Sequence, residues 1–171
     1  KLGDFAGSTQ RAQAVLKLPG PHRLARHADF AIGENAFSTK QWKQADASYA
    51  KVPGQHPLAR RAAFKRAWCA YLQDDRKAAV GRFAALIGKE PAAKRDAIAE
   101  EAVSMVALAN LGIPAADAAL AAADRYRAEH PNGKFLARTE RVAAQVLTAR
   151  GELRAAASRL ERAAQASSDP T

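Results

Sequence analysis

Four histidines, one cysteine and two adjacent glutamates are the residues of this 171-residue chain that could do chemistry. A metal centre needs imidazole, thiolate or carboxylate ligands at set spacings. His22, His27, His56 and His130 show none, and there is no cysteine pair. His22 and His27 are five residues apart, off a common helical face, and read as a solvated pair. Cys69 lies beside Trp68 with Arg66 nearby; it reads as a buried structural thiol, forms no internal disulfide and does not fix a compartment. Glu100 and Glu101 are sequence neighbours, so their carboxyls do not converge as an acid and base would. No glycine-rich phosphate loop and no nucleophile elbow is present. The expectation is a protein that is not an enzyme, with no catalytic, cofactor-binding or metal-binding residues.

The composition describes the elements instead. Alanine is abundant, while glycine (10) and proline (8) are sparse, which favours helix throughout. No apolar run approaches the length that crosses a bilayer. A sequence with no initiating methionine and no signal peptide is expected to be a mature or excised piece. Net charge is +10 and uneven. Residues 1–98 hold 18 Lys and Arg against 8 Asp and Glu, whereas residues 99–171 hold 9 of each. A field of this kind attracts acidic partners: an anionic peptide, a cell-wall polymer, a membrane surface or nucleic acid. A solvated arginine-rich helical surface is the simpler account of it. Nucleic acid would need a continuous basic stripe, and the lysines and arginines scatter around the helices.

Helical spacing predicts nine helices, at about 4–17, 22–38, 41–53, 58–73, 75–89, 95–111, 114–130, 132–149 and 152–167. Short loops make consecutive helices antiparallel neighbours. The segment "GENAFSTKQWKQADASYAKVPGQHP" (33–57) repeats in outline 34 residues later. The shift carries Ala28 to Ala62, Phe30 to Phe64, Ala45 to Ala79, Tyr49 to Phe83 and Pro57 to Pro91. A period of 34 with alanine, an aromatic four later and proline eight after that resembles the tetratricopeptide repeat. Gly33, Trp42, Ala45, Tyr49 and Pro57 make one full unit; Ala67, Ala79, Phe83 and Pro91 make a second, which departs from the pattern at Arg66 and Arg76. A third, looser unit has Gly112 and Pro114 at its turn, read as a C′ glycine and an N1 proline, and closes at Pro131. About six extra residues fall in "PAAKRDAIAE". A fourth contains "GELRAAASRLERAA", with Leu153, Ala156, Leu160 and Ala163 at helical spacing. "LGDFAGSTQRAQAV" resembles the turn and second helix of a unit that begins before residue 1. The implied architecture is all-α, a right-handed α-α superhelix of hairpins. It is a single array over 1–171, with a partial repeat at 1–20 and repeats near 22–57, 58–91, 95–131 and 132–169. Gly33, Ala45, Ala67 and Ala79 let helices approach, and Tyr49 and Phe83 fill the space between successive units. "STKQ" (38–41) reads as a capping box, and Asp74 and Asp75 as negative charge at a helix start.

The resemblance implies that the first helix of each hairpin lines an inner surface. That places His27, Phe30, Glu34 and Phe37 there, then Arg61, Phe64, Trp68 and Tyr71, and later Arg138, Arg141, Gln145 and Thr148. The partner-binding set is Phe30, Glu34, Phe37, Arg61, Phe64, Trp68, Tyr71, Arg138 and Arg141. Aromatic anchors beside arginine suit a protein or peptide with acidic groups; the same rings could equally be core. "FKRAWCAYLQDD" (64–75) is also similar to the helix found in tetratricopeptide proteins of bacterial envelope machines of the gliding-motility and secretion type. That likeness implies a periplasmic or envelope-associated scaffold, with a cytoplasmic location as the alternative. Two further readings stay open: the non-catalytic superhelical arm of a larger cell-wall enzyme resembling lytic transglycosylases, and a binder of anionic cell-wall or membrane surfaces.

Overall fold

A computed structural model describes residues 4–18, 24–89 and 91–168. Among them are nine α-helices and no strand: α1 (Phe5–Leu16), α2 (Ala25–Ser38), α3 (Trp42–Tyr49), α4 (Ala59–Leu72), α5 (Arg76–Ile87), α6 (Ala97–Asn110), α7 (Ala116–Glu129), α8 (Leu136–Ala149) and α9 (Leu153–Ser168). His22 and the first residues of the expected 22–38 helix lie outside the described residues, as do the ends of the 1–20 and 132–169 repeats. The chain divides into two compact units, one up to Asp75 and the other from Arg76. Within the first, α1 packs on α2, α2 on α3 and α3 on α4; within the second the same succession runs from α5 to α9, and α6 also touches α8. No helix among the described residues is long and apolar enough to cross a membrane.

The 34-residue period is visible in the backbone. Lys40 and Asp74 both take the left-handed conformation, with φ of 60° and 63°. The amide after each returns to the preceding helix, Gln41 N to Ala36 O at 2.8 Å and Asp75 N to Ala70 O at 3.0 Å. This is the glycine-type helix stop made with a lysine and an aspartate. Gly151 repeats it in the second unit, at φ 78°, with Glu152 N donating to Leu147 O at 2.9 Å. The left-handed stop replaces the expected capping box. Ser38 is the last residue of α2, and Gln41 caps α3 with no side-chain bond to the helix. The Gln41 side chain donates to the Thr39 hydroxyl instead.

Other boundaries move for local reasons. α3 ends at Tyr49, because Pro53 has no N–H to donate and its ring would collide with the carbonyl four residues back. α7 starts at Ala116, so Pro114 lies in the turn rather than at the first helical position. Gly112 does not serve as a left-handed stop; a Cβ there would lie 2.7 Å from Arg76 Cγ, so its place is one where the Arg76 side chain packs close to the backbone. The inserted stretch forms a 3₁₀ turn at Ala92–Lys94, after which Asp96 caps α6 through the Ala99 amide. Arg95 and Arg125 clamp Glu129 at 2.5 and 3.0 Å, tying this stretch to α7. Burial raises the Glu129 carboxyl, but the two guanidinium hydrogen bonds outweigh it and hold the group below its ordinary value.

The core is built as the spacing predicts. Ala45, Ala67, Ala79 and Phe83 are fully buried and Tyr49 is 1% exposed. The Tyr49 ring packs with Phe30, Ala62 and Cys69, joining α3 to the helices on both sides of it. Gly33 makes room for it: a Cβ at that position would lie 2.6 Å from Tyr49 Cε1. The phenol hydroxyl donates to Glu34, and burial, followed by that bond, pushes its pKa well above the ordinary value. In the second unit Ala119, Ala123, Val142, Ala143 and Val146 form the α7–α8 core. Tyr126 is also fully buried there; it donates to Glu100 at 2.6 Å and accepts from the Phe135 amide at 2.9 Å. On α9 the expected stripe divides: Ala156 and Ala163 are buried, while Leu153 and Leu160 face outward.

Candidate functional site

Three residues of α4 at i, i+4 and i+8, Phe64, Trp68 and Leu72, occupy one stripe of the helix. With Phe37 from α2 and Lys65 they line an open cavity of about 310 Å³. Phe64 and Trp68 meet edge-on at 6.4 Å, and Trp68 meets Tyr71 edge-on at 5.7 Å. This mutual contact orients the indole without covering it, and all three rings stay half-buried. Phe37 is braced from the other side by the Trp42 ring at 5.0 Å.

Among the described residues of the lining, Lys65 alone carries a charge. Its Nζ sits 4.4 Å from the Phe37 ring centroid and 3.4 Å from a Glu34 carboxylate oxygen. A cation over a ring is attracted by the ring's negative face. Here the Tyr49 hydroxyl, the Glu34 carboxylate and the Lys65 ammonium form a chain from the core to the surface. The cation is therefore held at the rim of an apolar hollow. The hollow has room for a large apolar side chain.

The residues named from the sequence divide. Phe37, Phe64 and Trp68 come together in the cavity, and Tyr71 touches Trp68 from outside the lining. Phe30 is buried, tilted against Tyr49 at 5.4 Å and covered by the Arg61 guanidinium at 5.3 Å. Glu34 is engaged by Tyr49 and Lys65. Arg138 and Arg141 belong to α8 in the second unit. Arg138 donates to the Ser104 hydroxyl at 3.3 Å and lies over the Phe135 ring at 4.8 Å, while Arg141 is exposed. Lys65 and Leu72 were not selected from the sequence. The i+4 step from Trp68 marks Leu72, but nothing local marks Lys65, whose partners are 28 and 31 residues earlier in the chain.

Two of the histidines meet, while His22 lies outside the described residues. The His27 and His56 rings contact edge-on at 4.8 Å, and His56 Nδ1 accepts the Leu58 amide. Among the described residues no three metal-ligating side chains converge.

No protein-family model matches the sequence, and no curated protein matches it. Solved structures do. A crystal structure of MamA superposes with a TM-score of 0.78 at 16% identity, covering 96% of this chain and 90% of that one. MamA from Desulfovibrio magneticus RS-1, residues 41 to the end, gives 0.71 at 15%, covering 99% and 100%. The TPR-like repeats of a Podosopora anserina kinesin light chain give 0.70 at 13%, covering 96% and 88%. The fold is that of the tetratricopeptide-like helical repeats. At these identities the likeness establishes the all-α repeat architecture, which agrees with the 34-residue period and with the paired helix stops at Lys40 and Asp74.

Proposed function

We propose that this chain is a protein-interaction scaffold that holds a peptide or protein segment against the aromatic face of α4. The observation that carries the reading is the open hollow formed by Phe37, Phe64, Trp68 and Leu72 with Lys65 at its rim. Large rigid rings bury much area at little conformational cost, which is why binding energy concentrates on such anchors. The lysine favours a segment with an acidic residue next to its apolar anchor. Arg61 extends the basic character of the same unit, and Arg138 and Arg141 offer a second set of contacts in the other. The repeats form one array in this reading. The similarity of "FKRAWCAYLQDD" to tetratricopeptide proteins of bacterial envelope machines supports a place in an envelope-associated assembly.

The test is affinity capture with the wild-type chain beside a Phe64→Ala/Trp68→Ala variant whose helicity is checked by circular dichroism. A protein lost from the variant is then titrated as a purified component. Each truncated anchor ring costs about 2 kcal/mol or more at a binding hot spot, so affinity falls by roughly thirty-fold for each ring removed. Equal affinity for both proteins would refute the reading. Raising the salt concentration separates it from simple attraction to anionic surfaces, since exposed charges are screened within about 8 Å at physiological ionic strength. Anchor-ring binding survives the added salt.

A further inference from the structure

Residues 99–171, which lie within the second unit, carry as many acidic as basic side chains, yet cations gather at one place among them. A cavity of about 460 Å³ opens between the end of α7, the Pro131–Lys134 turn and the last part of α9. Arg127, Lys134 and Arg162 line it together with the Asn132 and Gln165 carboxamides, and among the described residues no carboxylate does. The rest of the wall is small or apolar, including Leu136 and Ala166.

The two guanidiniums are held from behind. Arg162 Nε donates to Glu140 at 3.3 Å, and Arg127 Nη2 lies 3.3 Å from Asp124. Arg159, largely buried, bridges the two acids, contacting Asp124 and donating to Glu140 at 3.1 Å. The result is an alternating chain, Arg127–Asp124–Arg159–Glu140–Arg162, that begins and ends on an arginine at the same cavity. Glu140 is wholly buried, so the far end is fixed in the core. The Nη groups of Arg162 have no protein acceptor among the described residues. Counting Lys134, four cations face two carboxylates among the described residues, an excess of two positive charges beside the opening. α8 begins at this wall with no side-chain cap, adding a positive helix end.

We propose that this cavity binds a phosphate monoester, with the phosphoryl oxygens on Arg127, Arg162 and Lys134 and the organic body against Leu136 and Ala166. A phosphomonoester carries about −1.5 to −2 charge at neutral pH, which matches the local excess. Its oxygens accept the parallel N–H pairs of a guanidinium. The volume exceeds what phosphate alone fills and falls within the range of small-ligand sites. The ligand is either a free organic phosphate or a phosphorylated side chain of another protein; the recognition chemistry is the same.

The experiment titrates the full chain calorimetrically, at constant ionic strength, with phenyl phosphate, with a short phosphoserine peptide, and with benzoate as the monoanionic control. Saturable binding of phenyl phosphate or the phosphopeptide at one site is expected, with benzoate at least about tenfold weaker. The tighter of the two phosphates identifies the source. Lys134→Gln and Arg127→Gln each weaken binding about tenfold, the loss of one charge-assisted contact. Lys134 is exposed and its recorded contact is with the Phe135 ring, so its variant retains the fold even if changes at the buried network do not. No saturable phosphate binding, equal affinity for benzoate, or an unchanged affinity in the Lys134→Gln protein would overturn the proposal.

Discussion

Replacing Gly33 by alanine sets two effects of known sign against each other. Gly33 is in the interior of α2, where alanine is favoured by about 1 kcal/mol on helix propensity alone. The added methyl, however, would start 2.6 Å from Tyr49 Cε1 and 2.7 Å from Cδ1, against the 3.4 Å where ordinary contact begins. The ring cannot retreat easily. It is 1% exposed and packed among Phe30, Ala45, Val52, Ala62 and Cys69. Overpacking of this kind costs about 1–3 kcal/mol. A displaced ring also loosens the hydroxyl's bond to Glu34, a charged partner worth about 1.5–3 kcal/mol when intact. The clash wins, and the net expectation is a loss of about 1–3 kcal/mol. Gly81 is the control, because it lies within α5 with nothing inside 4 Å of its would-be Cβ. Gly81→Ala gains about 1 kcal/mol from propensity. Urea denaturation reads both. Trp42 and Trp68 are the chain's two tryptophans and both fall in the first unit, so their fluorescence follows Gly33→Ala, while circular dichroism follows Gly81→Ala. A Gly33→Ala protein as stable as wild type, or more so, would refute the reasoning.

Glu140→Gln should lower the stability of the second unit by about 3–5 kcal/mol, because it leaves Arg159 partly uncompensated in a buried site; a chemical denaturation midpoint that does not move would contradict this. The Tyr49 and Tyr126 phenols are both raised by burial first and then by their bonds to Glu34 and Glu100. Their folded pKa values exceed the unfolded value of about 10, so the stabilisation is complete below pH 10 and is lost as pH rises beyond it. Urea midpoints measured between pH 8 and 11 should fall at the alkaline end, and less steeply in a Tyr49→Phe/Tyr126→Phe protein; parallel declines would count against the assignment.

The sequence by itself determined the helices, their pairing and the 34-residue period. Those features rest on near neighbours. An alanine that allows a crossing and an aromatic one turn later leave a mark at helical spacing, so Ala45, Tyr49, Ala79 and Phe83 could be placed in the core from the chain alone. Phe37, Phe64 and Trp68 could be placed on a common surface only through the resemblance to the tetratricopeptide repeat, which assigns the first helix of each hairpin to one face. The turns were less legible: Lys40 and Asp74 occupy positions where glycine is usual, and their left-handed backbones displaced the capping box read at Ser38–Gln41.

The tertiary structure alone decided which polar groups meet and which rings stay open. Phe30 and Phe64 are equivalent in the repeat, yet Arg61 and Tyr49 cover the first, while the second lines a hollow. Leu153 and Leu160 share a helical stripe with Ala156 and Ala163 but face outward. The charge chain through Arg159 joins residues 19 and 35 positions apart. A charged side chain is long and flexible, and its partner is fixed by where separate helices come to rest. No periodicity records that, so a chain segment with zero net charge could still gather its cations around one cavity.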